Sequence, residues 1–278
     1  MSSTVEDSQE FVQSFARGLS LIEAFGQARS PLTLSEVAAG AGISRAAARR
    51  LLHTLVALGY AGFDGKRFDL RPRVLSLGFA YLSSAGIWEV ARPYLEDLAR
   101  STGESCSASV LDATEIVHVA RFPAPHRIMS ITVKVGDRLP AHASAMGRVL
   151  LASQGDEGQS RFFRNATLTA LTPRTVTDPK QLRNILVEVR KQGYAEVMGE
   201  LQAGLRSIAV PVIGKSGETI AAISVSMLSD SGKSTKALLR QMRDCAEKIH
   251  AALAVLPENC LDPQASMPAG KTKNRRIE

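Results

Sequence analysis

The chain's 278 residues leave room for two domains of ordinary size, and 45% hydrophobic with 22% charged residues suits packed cores under an ionic surface. No run approaches the roughly 18 apolar residues of a membrane span, and the opening MSSTVEDSQE lacks the basic-then-apolar layout of a signal peptide. The net charge is +7 and it is unevenly spread: residues 44–73 carry seven basic residues against Asp64 and Asp69, whereas residues 1–43 are net acidic. Aromatic residues are sparse, at 5%, which argues against a base-stacking platform. Cys106, Cys245 and Cys260 are too scattered for a disulfide framework or a CxxC zinc site. The expectation is a cytoplasmic protein with no metal, no cofactor and no membrane partner.

Beyond an expected disordered stretch over 1–10, Phe15, Leu19, Ile22 and Phe25 recur at helical spacing and predict an amphipathic helix over 11–27. After the break at Ser30-Pro31, Thr33-Leu34-Ser35-Glu36 has the form of a capping box and opens a short helix to about Ala39. Gly40-Ala41-Gly42 ends it, and Ser44 is a natural N-cap for a third helix over 45–58. One side of that helix is apolar (Ala47, Ala48, Leu51, Leu52, Leu55, Leu58), while Arg45, Arg49, Arg50 and His53 project elsewhere. Taken alone, the arginines fit either a solvated basic face or a nucleic-acid contact. The next segment of chain decides between them: two short strands, 60–63 and 66–70, flank Asp64-Gly65, a strong hairpin signal. A helix-turn-helix leading at once into a basic-tipped hairpin reads as a winged helix-turn-helix over 11–72. Its candidate DNA contacts are Thr33, Ser44, Arg45, Ala46, Arg49 and Arg50, with Lys66 and Arg67 on the wing.

A linker helix is expected over 73–86 and a long helix over 87–102, with Trp88, Val90, Ala91, Leu95 and Leu98 buried. The period then changes to that of strands: 105–111 and 115–122 around Asp112-Ala113-Thr114, then 128–135. Next come a helix over 143–153, a short helix near 160–163 and a helix over 179–192. Strands at 194–198, 205–213 and 219–227 and a closing helix over 234–256 complete an α+β effector-type domain, 87–257, with an antiparallel sheet. A disordered basic tail is expected over 258–278.

No catalytic constellation is present: the five histidines are dispersed, and there is no HExxH, GxSxG or Walker motif. His142 and Ser144 are too close in sequence to act readily as base and nucleophile. A ligand pocket fits better. Ser224 and Ser226 alternate with Ile223, Val225 and Met227, as Ser105, Ser107 and Ser109 do with Cys106, Ala108 and Val110. Such rows of hydroxyls either face water or line a site for a small polar ligand. For a carboxylate ligand, Arg127 and Arg148 are candidate partners, unless each pairs with an acidic residue of the protein instead.

The combination of Phe15-Ala16-Arg17-Gly18-Leu19, Gly42-Ile43-Ser44, Arg50-Leu51-Leu52-His53-Thr54-Leu55 and Gly59-Tyr60 resembles the IclR-type transcriptional regulators. So do the segments Leu139-Pro140-Ala141-His142-Ala143-Ser144-Ala145-Met146-Gly147-Arg148 and Gly204-Leu205-Arg206-Ser207-Ile208-Ala209-Val210-Pro211-Val212. The resemblance spans about 11–256. It implies a winged helix joined by a helix to a GAF-like effector domain, assembled as dimers or tetramers on double-stranded, pseudo-palindromic DNA. Within the family, Phe11–Phe15, Tyr81–Ala85, Gly103–Val110 and Arg127–Ser130 are similar to the subgroup regulating protocatechuate, 4-hydroxybenzoate and β-ketoadipate catabolism. That implies a small aromatic or aliphatic carboxylic acid as effector. By the resemblance, His142, Ala143, Ser144 and Met146 match the family's pocket loop, and Glu200, Ser207, Ser224 and Ser226 match pocket positions on opposing strands. The chain departs from the pattern at Ser207, where the family often has Cys, and over 197–200, where Glu200 is the acidic residue that remains. An alternative reading keeps the effector module and has the winged helix bind protein instead of DNA.

Overall fold

The computed structural model describes residues 11–27, 31–77, 87–124 and 133–255. The chain divides into two compact units, Met1–Ser83 and Ser84–Glu278.

The first unit contains α1 (Gln13–Ala24), β1 (Leu32–Thr33), α2 (Leu34–Gly40), α3 (Arg45–Ala57), β2 (Ala61–Phe63) and β3 (Arg67–Leu70). Both expected caps are present. The Thr33 hydroxyl accepts from the Glu36 amide while the Glu36 carboxylate accepts from the Thr33 amide, which satisfies two otherwise orphaned donors. Ser44 Oγ accepts from the Ala47 amide at 3.2 Å and starts α3. The core is Leu21, Phe25, Val37, Ala38, Ala48, Leu52 and Phe68. The stripe expected on α1 is therefore only partly right. Leu21 and Phe25, one turn apart, take the core positions, and Phe15 and Leu19 are 68% and 44% exposed. The hairpin carries a third strand that the sequence did not announce, in the order β1-β3-β2. Its two residues, Leu32 and Thr33, pair with Phe68 and Arg67. The linker expectation over 73–86 begins with a 3₁₀ turn, Pro72–Val74. Residues 78–86 of it, the expected N-terminal stretch 1–10 and the tail 258–278 lie outside the described residues.

The second unit is a six-stranded antiparallel sheet between two layers of helices. Its elements are α4 (Ile87–Thr102), β4 (Ser105–Asp112), β5 (Glu115–Phe122), β6 (Arg138–Pro140), α5 (Ala145–Ser153), α6 (Asp156–Asn165), α7 (Pro179–Gln192), β7 (Ala195–Met198), β8 (Leu205–Ile213), β9 (Thr219–Leu228) and α8 (Thr235–Ala254). The strand order is β6-β5-β4-β9-β8-β7, so two hairpin systems far apart in sequence join along β4 and β9. One face is apolar, with Cys106, Ala108, Ile208, Val210, Ile223 and Val225 buried, and α4 and α8 pack together on the sheet. The other face carries the serines. Its apolar part, Ile116, Val197, Ala209 and Ala222, packs with α5 and α7.

The strand expected over 128–135 is a correction. Residues 133–137 are not strand; Gly136 turns the chain at φ 92°, and Asp137 Oδ2 accepts from the Lys134 amide at 2.7 Å. The edge strand lies later, at Arg138–Pro140, with Arg138 bridging Glu115 and Asp112 at the hairpin end. The remainder of the expected strand is outside the described residues. The helix near 160–163 is longer than expected, spanning Asp156–Asn165.

A 3₁₀ turn, Ala141–Ala143, leads into α5 and sits directly on its first turn. A Cβ at Gly147 would meet the Ala141 carbonyl oxygen at 2.2 Å and its Cα at 2.4 Å, so only glycine lets the two segments approach. Gly147→Ala is expected to destabilise the second unit by about 1–3 kcal/mol through overpacking. Denaturant unfolding followed by the fluorescence of Trp88, which lies in this unit, measures it.

Candidate functional site

In the first unit α3 presents its N-terminal half to solvent. Arg45, Ala46, Arg49 and Arg50 are exposed, with Arg45 and Arg49 one helical turn apart. Among the described residues the three guanidiniums have no side-chain ion pair, so their charge is uncommitted. Thr33 and Ser44, also expected as contacts, are occupied as caps. The wing is held to α3 by aromatic rings. His53 meets Phe63 and Phe68 edge-on at 6.1 Å, and the two phenylalanines stack at 4.4 Å. At the wing tip, Asp64 Oδ1 accepts from the Lys66 and Arg67 amides, and those bonds hold the Asp64 carboxyl below its ordinary pKa. Gly65 adopts φ 100°, which the turn requires. Lys66 is exposed and free to meet a phosphate. Arg67 is partly engaged: one nitrogen of its guanidinium donates to the Pro31 carbonyl at 2.8 Å and braces the wing against β1. Arg73 donates to the Leu58 carbonyl at 2.8 Å, placing positive charge at the negative end of α3.

In the second unit the serine face is covered. Ser105, Ser107, Ser109 and Ser224 are buried, which answers the question of orientation that alternation alone left open. A partly open pocket lies between this face and the N-terminus of α5. Of the expected effector residues, Ser107, Ala143, Ser144, Met146, Ser207, Ser224 and Ser226 line it. Ser207 and Ser226 hydrogen bond to each other at 2.8 Å across β8 and β9, and Ser144 caps α5 by accepting from the Gly147 amide at 3.0 Å. Apolar walls come from Ile116, Leu139, Val197, Leu201 and Leu205.

His142, Arg148 and Glu200, expected to touch the effector, stand instead behind the wall. Arg148 and Glu200 form an ion pair at 2.6 Å, with side chains 4% and 11% exposed. Arg148 Nε donates to the His142 carbonyl at 2.9 Å, and Glu200 Oε2 accepts from the Val176 amide at 2.9 Å. The Thr175 hydroxyl donates to the Glu200 carbonyl at 2.6 Å, and Thr172 donates to Gly199. His142 Nε2 donates to the Thr169 carbonyl at 3.1 Å, and burial keeps its pKa below the ordinary value. This network ties the 3₁₀ turn to the segment 169–176 and to the end of β7. Arg127 lies outside the described residues.

Two lining residues that sequence reasoning missed are His118 and Arg121 on β5. Three apart, they belong on opposite faces of a regular strand. A bulge brings them together: Ala108 pairs with Ala120 and Ser109 with His118, leaving Val119 unpaired. His118 Nδ1 lies 3.3 Å from the Asp137 carbonyl, to which it donates, and burial lowers the pKa of the ring. Cys106 and Cys245 are buried thiols whose pKa values burial raises, the latter to about 12, so neither is a ready nucleophile. No group of metal-ligating side chains forms among the described residues, and no helix there is long and apolar enough to cross a membrane.

Residues 14–65 match the model of the IclR helix-turn-helix domain, and residues 79–251 match that of the bacterial transcriptional regulator IclR C-terminal domain. The chain belongs to the IclR family. It is a DNA-binding transcriptional regulator with an effector domain, not an enzyme. It is similar to the Pca regulon regulatory protein of Pseudomonas putida, at 41% identity over 84% of this chain and 79% of that one. The p-hydroxybenzoate hydroxylase transcriptional activator of Acinetobacter baylyi is also 41% identical, over 78% of this chain and 81% of its own. Among solved structures, an IclR homolog from Microbacterium hydrocarbonoxydans complexed with 4-hydroxybenzoate aligns with a TM-score of 0.76. It shares 29% identity and covers 86% of this chain and 98% of its own.

Because the Arg148–Glu200 pair is buried, removing one partner strands the other. Arg148→Met is expected to cost about 3–5 kcal/mol of stability. Adding Glu200→Met is expected to return part of it, a coupling that a double-mutant cycle by chemical denaturation measures.

Proposed function

We propose that this IclR-family regulator controls a catabolic operon for aromatic acids and takes a small aromatic carboxylic acid as its effector. The observation that carries the reading is the pocket of Ser107, Ser207, Ser224 and Ser226 under the α5 N-terminus. Hydroxyls distributed over apolar walls suit a flat ring bearing polar substituents. Relatives named for the Pca regulon and for p-hydroxybenzoate hydroxylase, and a neighbour holding 4-hydroxybenzoate, support the same class.

The regulator acts in the cytoplasm as a homo-oligomer, a dimer or a pair of dimers. Two copies of α3 enter successive major grooves of a pseudo-palindromic operator, with half-site spacing fixed by the two-fold axis. Arg45 and Arg49 reach base edges or flanking phosphates, Arg50 the phosphate beside them, and Lys66 the backbone under the wing. Arg67 contributes by stiffening the wing, and Thr33, Ser44 and Ala46 by shaping and capping the helices that lie against the duplex. The effector acts to the extent that it favours one relative placement of the two wings over another. The Arg148–Glu200 network supplies the stiffness that lets an occupied pocket be felt beyond its own walls.

The test is fluorescence anisotropy on DNA from the intergenic region beside the gene, with and without protocatechuate, 4-hydroxybenzoate and β-ketoadipate. Binding is expected to weaken steeply with salt, to change when one of these acids is added, and to fall about tenfold or more in Arg49→Ala. Binding indifferent to all three acids would discard the catabolic assignment. Affinity unchanged in Arg49→Ala would remove that residue from the interface.

A further inference from the structure

We propose that Arg121 is the effector's carboxylate anchor, and that the Val119 bulge exists in β5 to bring it onto the pocket face beside His118. The inference rests on the reading of the pocket as an acid-binding site and deepens it by naming the group that reads the charge.

Among the described residues that line the pocket, Arg121 is the one that carries a full charge. It is half-buried, and its neighbours on the sheet offer no acidic partner. Its pair on β4 is Ser107, and beyond that lies Ser224 on β9. Among the described residues no carboxylate lies within ion-pair distance of its guanidinium. Asp137, across the turn, acts on it only through space. The other buried arginine near the pocket, Arg148, is already committed to Glu200, and Arg138 at the sheet edge is committed to Glu115 and Asp112. A half-buried guanidinium without a partner retains its demand for an anion, and a carboxylate meets it with two parallel hydrogen bonds.

The rest of the face fits the rest of such a ligand. Arg121, Ser107 and Ser224 form one rung across three strands, and Ser105, Ser226 and Ser207 form the next. From β5 to β8 is three strand spacings, about 14 Å. One extended arginine side chain plus one benzene ring with substituents at opposite ends spans that interval. A ring carboxylate on Arg121 therefore directs the opposite substituent to the Ser207–Ser226 pair, two hydroxyls at 2.8 Å that can both donate and accept. His118 adds a neutral acceptor. Its Nδ1 proton is committed to the Asp137 carbonyl, which leaves Nε2 as a lone pair for a hydroxyl of the ligand. Without the bulge, His118 and Arg121 lie on opposite faces and the pocket loses one of them.

The experiment titrates 4-hydroxybenzoate, its neutral analogue 4-hydroxybenzamide and aliphatic β-ketoadipate into full-length wild type, Arg121→Gln and Arg121→Lys by calorimetry. Wild type is expected to prefer acid over amide by about 10- to 100-fold, the worth of a charge-assisted hydrogen bond. Arg121→Gln is expected to abolish the preference by losing the acid while retaining the amide, and Arg121→Lys to fall between. Retained amide binding in Arg121→Gln shows that the pocket is folded. An acid-to-amide preference that survives Arg121→Gln overturns the proposal and puts the carboxylate elsewhere, the α5 N-terminus included. Arg121-dependent binding of β-ketoadipate with no binding of the aromatic pair keeps the anchor and overturns the aromatic reading. No binding of any of the three by wild type overturns both.

Discussion

A carboxylate and a guanidinium buried together must be satisfied on every side, and in this effector domain the Arg148–Glu200 pair imposes that demand on three separate segments. Arg148 is on α5, Glu200 lies just past β7, and the His142 carbonyl and the Val176 amide each add a further hydrogen bond to the pair. The threonines at 172 and 175 then fasten the backbone around Glu200. The pair is poor evidence of net stabilisation, since apolar replacements of such pairs are often neutral or better. Its consequence is geometric. It fixes where the 3₁₀ turn ends and α5 begins, and so where Ala143, Ser144 and Met146 stand over the serine face. Gly147 serves the same end by letting the turn lie against the helix without an intervening methyl group.

The sheet supplies the other half of the site by division of labour between its faces. Period-2 alternation sends Cys106, Ala108, Ile223 and Val225 toward α4 and α8, and Ser107, Ser224 and Ser226 toward the pocket. The join of β4 to β9 sets serines from two ends of the sequence side by side. Half-buried hydroxyls cost little while they bond one another, as Ser207 and Ser226 do. Such groups discriminate sharply among ligands, because one that fails to replace those bonds leaves polar atoms unpaired in an apolar enclosure.

Much of this arrangement was legible in the sequence where local chemistry decides it. The capping box at Thr33, the N-cap at Ser44, the Asp64-Gly65 hairpin and the bounds of α7 and β8 obey nearest-neighbour rules, and the structure has them where those rules put them. The serine face was legible because its period is simple, though whether it met water depended on what lay over it. Other features answer to contacts at a distance. Arg148 could be read as a ligand group because Glu200 is 52 residues away. The bracing bond of Arg67 was hidden in the same way, because its acceptor is the carbonyl of Pro31, across the wing. Strand β6 is too short to show a period, while the β-branched run before it looked more like a strand. His118 and Arg121 were hidden for a related reason, since a bulge breaks the alternation on which any reading of strand faces depends.

On the proposed reading, the regulator meets its effector in the space between the serine face and the start of α5. Hydrogen–deuterium exchange on the full-length protein, with and without saturating 4-hydroxybenzoate, tests it directly. Slowed exchange is expected in the peptides covering 139–147 and 197–207, where the pocket walls meet the ligand and the Arg148–Glu200 network. Unchanged exchange in both segments, with ligand-dependent protection arising elsewhere in the chain, would contradict it.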